Sequence, residues 1–465
     1  MNRIRISGKH YQEIKQQLFP GDNKEAVAVA LCGRSSWKGN HTLLVNEILL
    51  ILHEACFERR VDFVHWPTEI IVPLIEKAKK KGMAIMKIHC HPGGGEFFSD
   101  YDTESDLTLF TGIHSWLDDG LPHASCIMLP DGRIFGRFIN EEIKFEKADQ
   151  ILIAGSTIFN WNYTMQSFIN DEIQIRNQQA FGKKTVSILN KMKVGIVGCS
   201  GTGSPIIEQL KRYGVGEFVL VDPDHMDKVN LNRIINSTFT DAERKTPKVD
   251  VMERSINEAG FKTKVKKFDS HVTGYEIIKE LAECDILFSC VDGAEGRHVL
   301  NLISSFYLLP FFDLGVKLDA DGEGGIDNIF GSIHYVQPGG SSLLSRKQYT
   351  IERLQAEGIE RTNPEEYERR QRNGYLAKAN ESNPAVISIN MQVASTAIND
   401  FLNRIHPFRN VNNGSVSIIR IIFGELYMEY QFDELPCPFF NLFVGTGDIE
   451  PLLKLSELSN VSKAA

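Results

Sequence analysis

Lys193-Val194-Gly195-Ile196-Val197-Gly198-Cys199-Ser200-Gly201-Thr202-Gly203 is a short apolar run that breaks into a glycine-rich loop. With the residues that follow, it reads as strand, tight loop, helix and strand. Such a loop lets a phosphate approach backbone N–H groups at a helix N-terminus. The alternation continues through Val265, residues 286–291 and residues 310–314. This predicts an α/β class unit with a mostly parallel, Rossmann-like sheet and covering helices. Asp222 ends the second strand, 19 residues past Gly203, where a ribose-binding acid belongs.

A dehydrogenase would show that much, and the next residues separate the alternatives. Asp222-Pro223-Asp224 leads to Asn230, Asn232 and Arg233, then to Lys248; Asp292 ends the 286–291 strand, with Arg297 close behind. Hydride transfer requires neither cations around a triphosphate nor an extra carboxylate for magnesium. Adenylation requires both, because charge must be neutralised as pyrophosphate leaves.

The whole chain, 465 residues, is too long for one ordinary core and suits two or three domains. Its 42 % hydrophobic and 24 % charged content predicts a soluble, globular protein, and a formal charge of −9 argues against general nucleic-acid binding. Residues 1–20 are polar and basic without an apolar core, and no apolar run is long enough to cross a bilayer. A cytoplasmic location is therefore expected. The eight cysteines form no Cys-x-x-Cys pair and read as reduced thiols.

Working outward toward the N-terminus, residues 26–32 and 84–89 read as strands, 43–59 as a helix and 102–116 as a helix. Residues 126–129 and 134–138 flank Pro130-Asp131-Gly132 as a hairpin. Between them lies His89-Cys90-His91-Pro92, followed by Ser99 and Asp102. Side chains two apart on a strand share a face, so His89 and His91 can grip one ion while Cys90 faces away. Ser99 and Asp102 have the spacing of a helix N-cap and its third residue. Two imidazoles and one carboxylate leave a fourth tetrahedral position open, the mark of a catalytic rather than a structural zinc site. Glu25, heading the 26–32 strand, is the candidate general base and proton carrier, and Ser99 could donate to a developing oxyanion.

The segment 89–102, with Glu25 upstream, resembles the JAMM metalloprotease family, which includes deubiquitinating isopeptidases. The resemblance covers roughly residues 1–145. It implies an α/β zinc domain with His89, His91 and Asp102 as ligands and Glu25 and Ser99 as catalytic residues; Cys90 stands where Ser or Thr is usual. The stretch from about Arg176 to His406 resembles the ThiF-like adenylyltransferases, the fold shared with ubiquitin-activating enzymes. That implies a nucleotide loop of Gly198, Gly201 and Gly203, with Asp222 on the ribose beside Asp224. It also implies Asn230, Arg233 and Lys248 at the phosphates and Asp292 on magnesium. Arg176 resembles the family arginine that reaches into a partner subunit, which implies a homodimer. Ser200 stands where many relatives carry glycine.

Many relatives keep a catalytic cysteine after a Pro-Gly turn. Here the region reads Gln337-Pro338-Gly339-Gly340-Ser341-Ser342-Leu343-Leu344-Ser345, without a thiol. A serine supplies almost no alkoxide without a base. Either the acyl-adenylate passes directly onward, or Ser342 (less readily Ser345) accepts the acyl group. Cys437, within Pro436-Cys437-Pro438, is a possible remote nucleophile or a plain packing cysteine.

The expected organisation is therefore a zinc domain at 1–145, a helical bridge carrying Arg176 at 146–190 and an adenylation domain at 191–410. A charged, helical insertion is expected at 350–380, and 411–465 is expected to complete the adenylation domain. The expected activity is trimming or deconjugation of a ubiquitin-like protein with a C-terminal glycine tail, followed by Mg-ATP-dependent adenylation of its carboxylate. Zn2+, ATP and Mg2+ are the expected cofactors, and a ubiquitin-conjugating-enzyme-like protein an expected partner. Bacterial operons of this type, often linked to antiviral defence, are the nearest resemblance. The alternatives are maturation and activation of a sulfur carrier, or a binding scaffold with one inactive site. Adenylate transfer to sulfide rather than to an acceptor protein would mark the first; absence of zinc or of pyrophosphate exchange would mark the second.

Overall fold

Val27, Val29 and Leu31 belong to one buried apolar cluster, and Ala28, Ala30 and Cys32 to another. That split is what a strand covered on both faces requires. In the computed structural model, which describes residues 1–163, 171–320, 325–372, 386–433 and 435–459, this strand lies inside the sheet of the first of two units. In chain order that unit contains β1 (Asn2–Ser7), α1 (Gly8–Leu18), β2 (Val27–Trp37), β3 (Asn40–Leu50), β4 (Glu58–Arg59) and β5 (Val64–His65). There follow α2 (Val72–Lys81), β6 (Ala84–Cys90), α3 (Asp100–Leu117), β7 (His123–Met128), β8 (Ile134–Ile139), β9 (Phe145–Lys147), β10 (Gln150–Ala154) and β11 (Ile158–Asn162). Nine strands run in the order β11-β10-β1-β3-β2-β6-β7-β8-β9, and β4 and β5 pair separately. Tyr11, Ile14 and Leu18 of α1 join the cluster on one face. Leu74, Ile75 and Ala78 of α2, with Phe110, Ile113 and Leu117 of α3, join the other.

Two expectations for this unit are corrected. Residues 43–59 are not a helix: 40–50 form β3, which pairs with β2 around the two-residue turn Lys38-Gly39, both at positive φ. The apolar run 43–52 satisfies helical and strand spacing alike, and flanking strands β1 and β2 decide between them. Nor is 146–190 a helical bridge throughout. β10 pairs in parallel with β1, and β11 closes that edge, so the first unit continues past residue 145; among the described residues the helix covers Asp171–Lys191.

The second unit contains α4 (Asp171–Lys191), β12 (Lys193–Val197), α5 (Gly203–Arg212), β13 (Glu217–Val221), α6 (Phe239–Glu243), α7 (Lys248–Glu258), β14 (Lys264–Phe268), α8 (Tyr275–Ala282) and β15 (Ile286–Ser289). It continues with α9 (Ala294–Tyr307), β16 (Phe311–Ala320), β17 (Ile326–Val336), α10 (Ile351–Thr362), α11 (Pro364–Arg372), α12 (Ile387–Ile405), β18 (Ile418–Ile422) and β19 (Tyr427–Gln431). Its sheet runs β14-β13-β12-β15-β16-β17-β18-β19. The pairs from β14 to β16 are parallel, and those from β16 to β19 antiparallel. The chain therefore reverses its direction of travel across the sheet after β14, and the glycine loop follows β12 at that reversal. Ligands bind open α/β sheets at such points.

The charged insertion forms α10 and α11, and residues 373–380 of it lie outside the described residues. The C-terminal stretch is divided: β18 and β19 extend the second sheet, whereas residues 443–459 group with the first unit. There the Asp448 N–H donates to Arg34 O at 2.7 Å and the Ser36 N–H to Asp448 Oδ2 at 2.9 Å. That backbone pairing overrides proximity in sequence and corrects the assignment of 411–465 to one domain. Among the described residues no helix is long and apolar enough to cross a membrane.

Candidate functional site

β6 delivers its side chains alternately. Ile88 and Cys90 join the α1-side cluster, and the Cys90 thiol donates to Leu18 O at 3.0 Å. His89 points the opposite way and His91 follows just beyond the strand. Glu25, two residues before β2, is buried, and its N–H donates to Arg60 O. Ser99 caps α3: its hydroxyl accepts from the Asp102 N–H and donates to Asp102 Oδ2 at 2.7 Å, while Asp102 reaches back to the Ser99 N–H at 2.8 Å. This capping box fixes the carboxylate within the first turn. It also occupies the Ser99 hydroxyl, so in this arrangement Ser99 orients Asp102.

These elements bring together residues far apart in sequence. His89 Nε2 lies 2.9 Å from Asp102 Oδ1; His91 Nε2 lies 3.4 Å from Asp102 Oδ2 and 3.8 Å from Glu25 Oε1. Donor atoms of Glu25, His89 and His91 fall within 4.8 Å of one another. Neither ring nitrogen of buried His89 makes an aligned hydrogen bond. His91 Nδ1 sits 2.8 Å from Gly95 O; a carbonyl can only accept, so the proton sits on Nδ1. Nε2 then faces the carboxylates, and a metal-ligating imidazole is held in this way through its other nitrogen. Two imidazoles and two carboxylates suit zinc, and the residues fit that ion.

Burial sets the acid–base character. It pushes the Glu25 carboxyl up to about 8, against the pull of His91. Burial also tends to raise Asp102, but the adjacent imidazoles of His89 and His91 hold it well below the usual carboxylate range. Burial lowers His89, while His91 is raised because Asp102 outweighs its desolvation. A cavity of about 620 Å³ adjoins the cluster, lined in part by Trp66, Tyr101, Leu109 and Trp116. Val64, Trp66, Tyr101 and Ser105 line both it and the cleft that holds Glu25, His89 and Asp102. The sequence reading missed this wall, because residues 64–72 carry no motif.

In the second unit the glycine loop is sterically obligatory. Gly198 has φ +94°, and a Cβ there would lie 2.4 Å from Cys290 O; a Cβ on Gly203 would lie 1.9 Å from Gly198 O. Buried Asp222 accepts from the Cys199 N–H at 2.6 Å and from the Asp224 N–H at 2.9 Å, clasping the loop to the end of β13. Burial raises its pKa, opposed by Lys248. Lys248, at the start of α7, pairs with Asp224 at 2.6 Å and lies 4.0 Å from Asp222. Beside Gly201 stand the Asn390 amide and the aliphatic stem of Arg233, 2.5 and 3.4 Å from where a Cβ would sit. The Asn230 amide oxygen accepts from the Asp227 N–H, a capping role. Asp292 is exposed, and its carbonyl accepts from Arg297 and Arg353.

Two residues escaped the sequence reading. Asn390 is a buried polar residue in the otherwise apolar α12, and that contrast was its only signal. Asp313 is wholly buried on β16, receiving hydrogen bonds from Ser289 and Arg297. Arg176 is exposed on α4 and donates to Gln179 at 3.1 Å. Ser342 is buried, and its hydroxyl accepts from the Ser345 N–H at 3.1 Å. Cys437 is buried too, its N–H donating to Gly340 O at 3.0 Å.

Comparison with known proteins bears on this second unit. The ThiF family profile matches residues 173–414. Ubiquitin-like modifier-activating enzyme 5 of Culex quinquefasciatus is 26 % identical over 163 residues, covering 32 % of this chain and 38 % of that protein. The Drosophila ananassae enzyme of the same name is 27 % identical over 164 residues, covering 33 % and 39 %. The chain thus spans well under half the length of these relatives. Among solved structures, E. coli MccB with ATP is 18 % identical, with a TM-score of 0.41 over 59 % of this chain and 74 % of that one.

Proposed function

Because the chain belongs to the ThiF family, we propose that its second unit adenylates the C-terminal carboxylate of a ubiquitin-like protein, and that its first unit is a JAMM-type zinc peptidase that exposes or releases that carboxylate. The glycine loop, clasped by Asp222, takes the nucleotide. Lys248, Arg233 and Asn390 surround its phosphates, and Asp292 serves magnesium. The observation that carries the peptidase half is the convergence of two imidazoles with Glu25 and Asp102 in one buried cleft.

In the peptidase, His89, His91 and Asp102 hold the ion. Zinc bound there polarises a carbonyl and lowers the pKa of water to about 7. Glu25 takes the proton of the attacking water and passes it to the leaving amine. Tyr101 and Trp66 present an apolar wall to the incoming chain. In the second unit the engagement of Ser342 with Ser345 supports direct passage of the acyl-adenylate to an acceptor over an ester on serine. A conjugating-enzyme-like acceptor, a homodimer through Arg176 and a cytoplasmic setting complete the reading.

The test combines the protein, Mg-ATP and a ubiquitin-like protein bearing a C-terminal extension, followed by intact mass. Trimming and an adenylate are expected. His91→Ala should abolish cleavage and preserve ATP–pyrophosphate exchange; Asp292→Ala should do the reverse. Loss of both activities in a folded His91→Ala protein would refute the assignment of separate sites.

A further inference from the structure

Behind the metal cleft lies a buried charge trio that the proposed chemistry leaves unused. Asp106 sits one turn after Asp102 on α3, and its side chain is 0 % exposed. It forms an ion pair with Lys87, two residues before His89 on β6. Arg137 of β8 donates to Asp106 Oδ2 through both Nη2, at 2.7 Å, and Nε, at 3.2 Å. The same guanidinium reaches Thr103 Oγ1 at 3.2 Å and Asp102 O at 3.5 Å, and lies 3.8 and 3.9 Å from the ring centres of Phe98 and Phe145. One carboxylate thus ties the strand carrying His89 to the helix carrying Asp102.

The charges do not balance. Two cations face one carboxylate, and Lys87 lines the same cleft as Glu25, His89 and Asp102. Without Asp106, the Lys87 ammonium has two carboxylates within its cleft to turn to, and both belong to the metal cluster. A lysine there competes with the ion. Buried charges that lose their partner are strongly driven to find another.

We propose that Asp106 is a positioning residue for the metal site, holding Lys87 away from Glu25 and Asp102 while fixing β6 against α3. This rests on the zinc reading of the first unit. The experiment measures Zn2+ affinity by competition with a chromophoric chelator, and the visible spectrum of the Co2+-loaded protein, using the full chain. Asp106→Asn should weaken Zn2+ binding about 10- to 100-fold and alter the Co2+ spectrum. Adding Lys87→Met should recover at least about tenfold of that loss, which a merely structural role for Asp106 would not produce. Pyrophosphate exchange reports that the second unit is intact.

Unchanged affinity in Asp106→Asn, or a loss that Lys87→Met fails to relieve, overturns the proposal. If Asp106→Asn does not fold, Lys87→Met alone decides: it leaves Asp106 paired with Arg137 and should bind Zn2+ at least as tightly as wild type, and a tenfold loss overturns the proposal. If the wild-type protein binds no Zn2+, the peptidase assignment itself fails, a result distinct from either.

Discussion

At Gly203 one methyl group separates a closed nucleotide loop from an open one. A Cβ there would lie 1.9 Å from Gly198 O, and backbone cannot yield as a flexible side chain can. Gly203→Ala should cost about 3 kcal/mol in the second unit and suppress ATP–pyrophosphate exchange, with calorimetry and exchange assays as the checks. Histidines set a second residue-scale property. Burial lowers His334 to about 3 and His298 to about 4, from the ordinary 6.5. Each stays neutral in the fold while its unfolded counterpart takes a proton below 6.5. Stability is therefore fully present above that value and lost as pH falls toward 4, by up to roughly 1.4 kcal/mol per pH unit per histidine. The thermal midpoint should drop between pH 7 and pH 5, and His334→Gln should flatten that slope. The histidine pair and the Ser99–Asp102 cap were legible in sequence, because residues two apart at a strand end and a Ser-x-x-Asp cap are local geometry. Asn390, Asp313 and Asp106 were not, because each draws its role from neighbours distant in the chain.

At the scale of elements, α10 shows how a charged segment gains a task from what it packs against. The sequence predicts a helical, solvated excursion, and α10 and α11 are helices. Yet Glu357 of α10 is buried and accepts from the Glu295 N–H at 2.9 Å, in the first turn of α9. Arg353 bridges Glu357 and the Asp292 carbonyl, and Arg361 pairs with Glu295. α10 thereby braces the loop that carries Asp292. Glu357→Ala removes the acceptor from that helix end and leaves Arg353 only the Asp292 carbonyl, so a loss of about 2 kcal/mol is expected, with a raised KM for Mg-ATP. Unchanged KM and midpoint would show that the brace is idle. Elements with one consistent period, such as β6, α3 and the β7–β8 hairpin, follow directly from sequence. β3 does not, since its apolar run fits two periods and only its pairing with β1 and β2 chooses.

For the molecule as a whole, the two units should answer to different ligands. A zinc-selective chelator should abolish bond cleavage and lower the unfolding midpoint of the first unit, leaving pyrophosphate exchange intact. Mg-ATP at a hundredfold its dissociation constant should stabilise the second unit by about 2.7 kcal/mol. Scanning calorimetry with each ligand separates the two effects. The sequence by itself determined the presence of a glycine loop after a strand, the alternating sheet of the second unit, and two imidazoles on one face beside a capped acid. These are short-range patterns, fixed by backbone periodicity and capping chemistry. Tertiary structure alone decided that β10 and β11 extend the first sheet, that residues 443–459 fold with the first unit, and that Lys87, Asp106 and Arg137 stand behind His89 and Asp102. Those outcomes depend on which distant backbone edges and buried charges satisfy one another, and no local spacing encodes that choice.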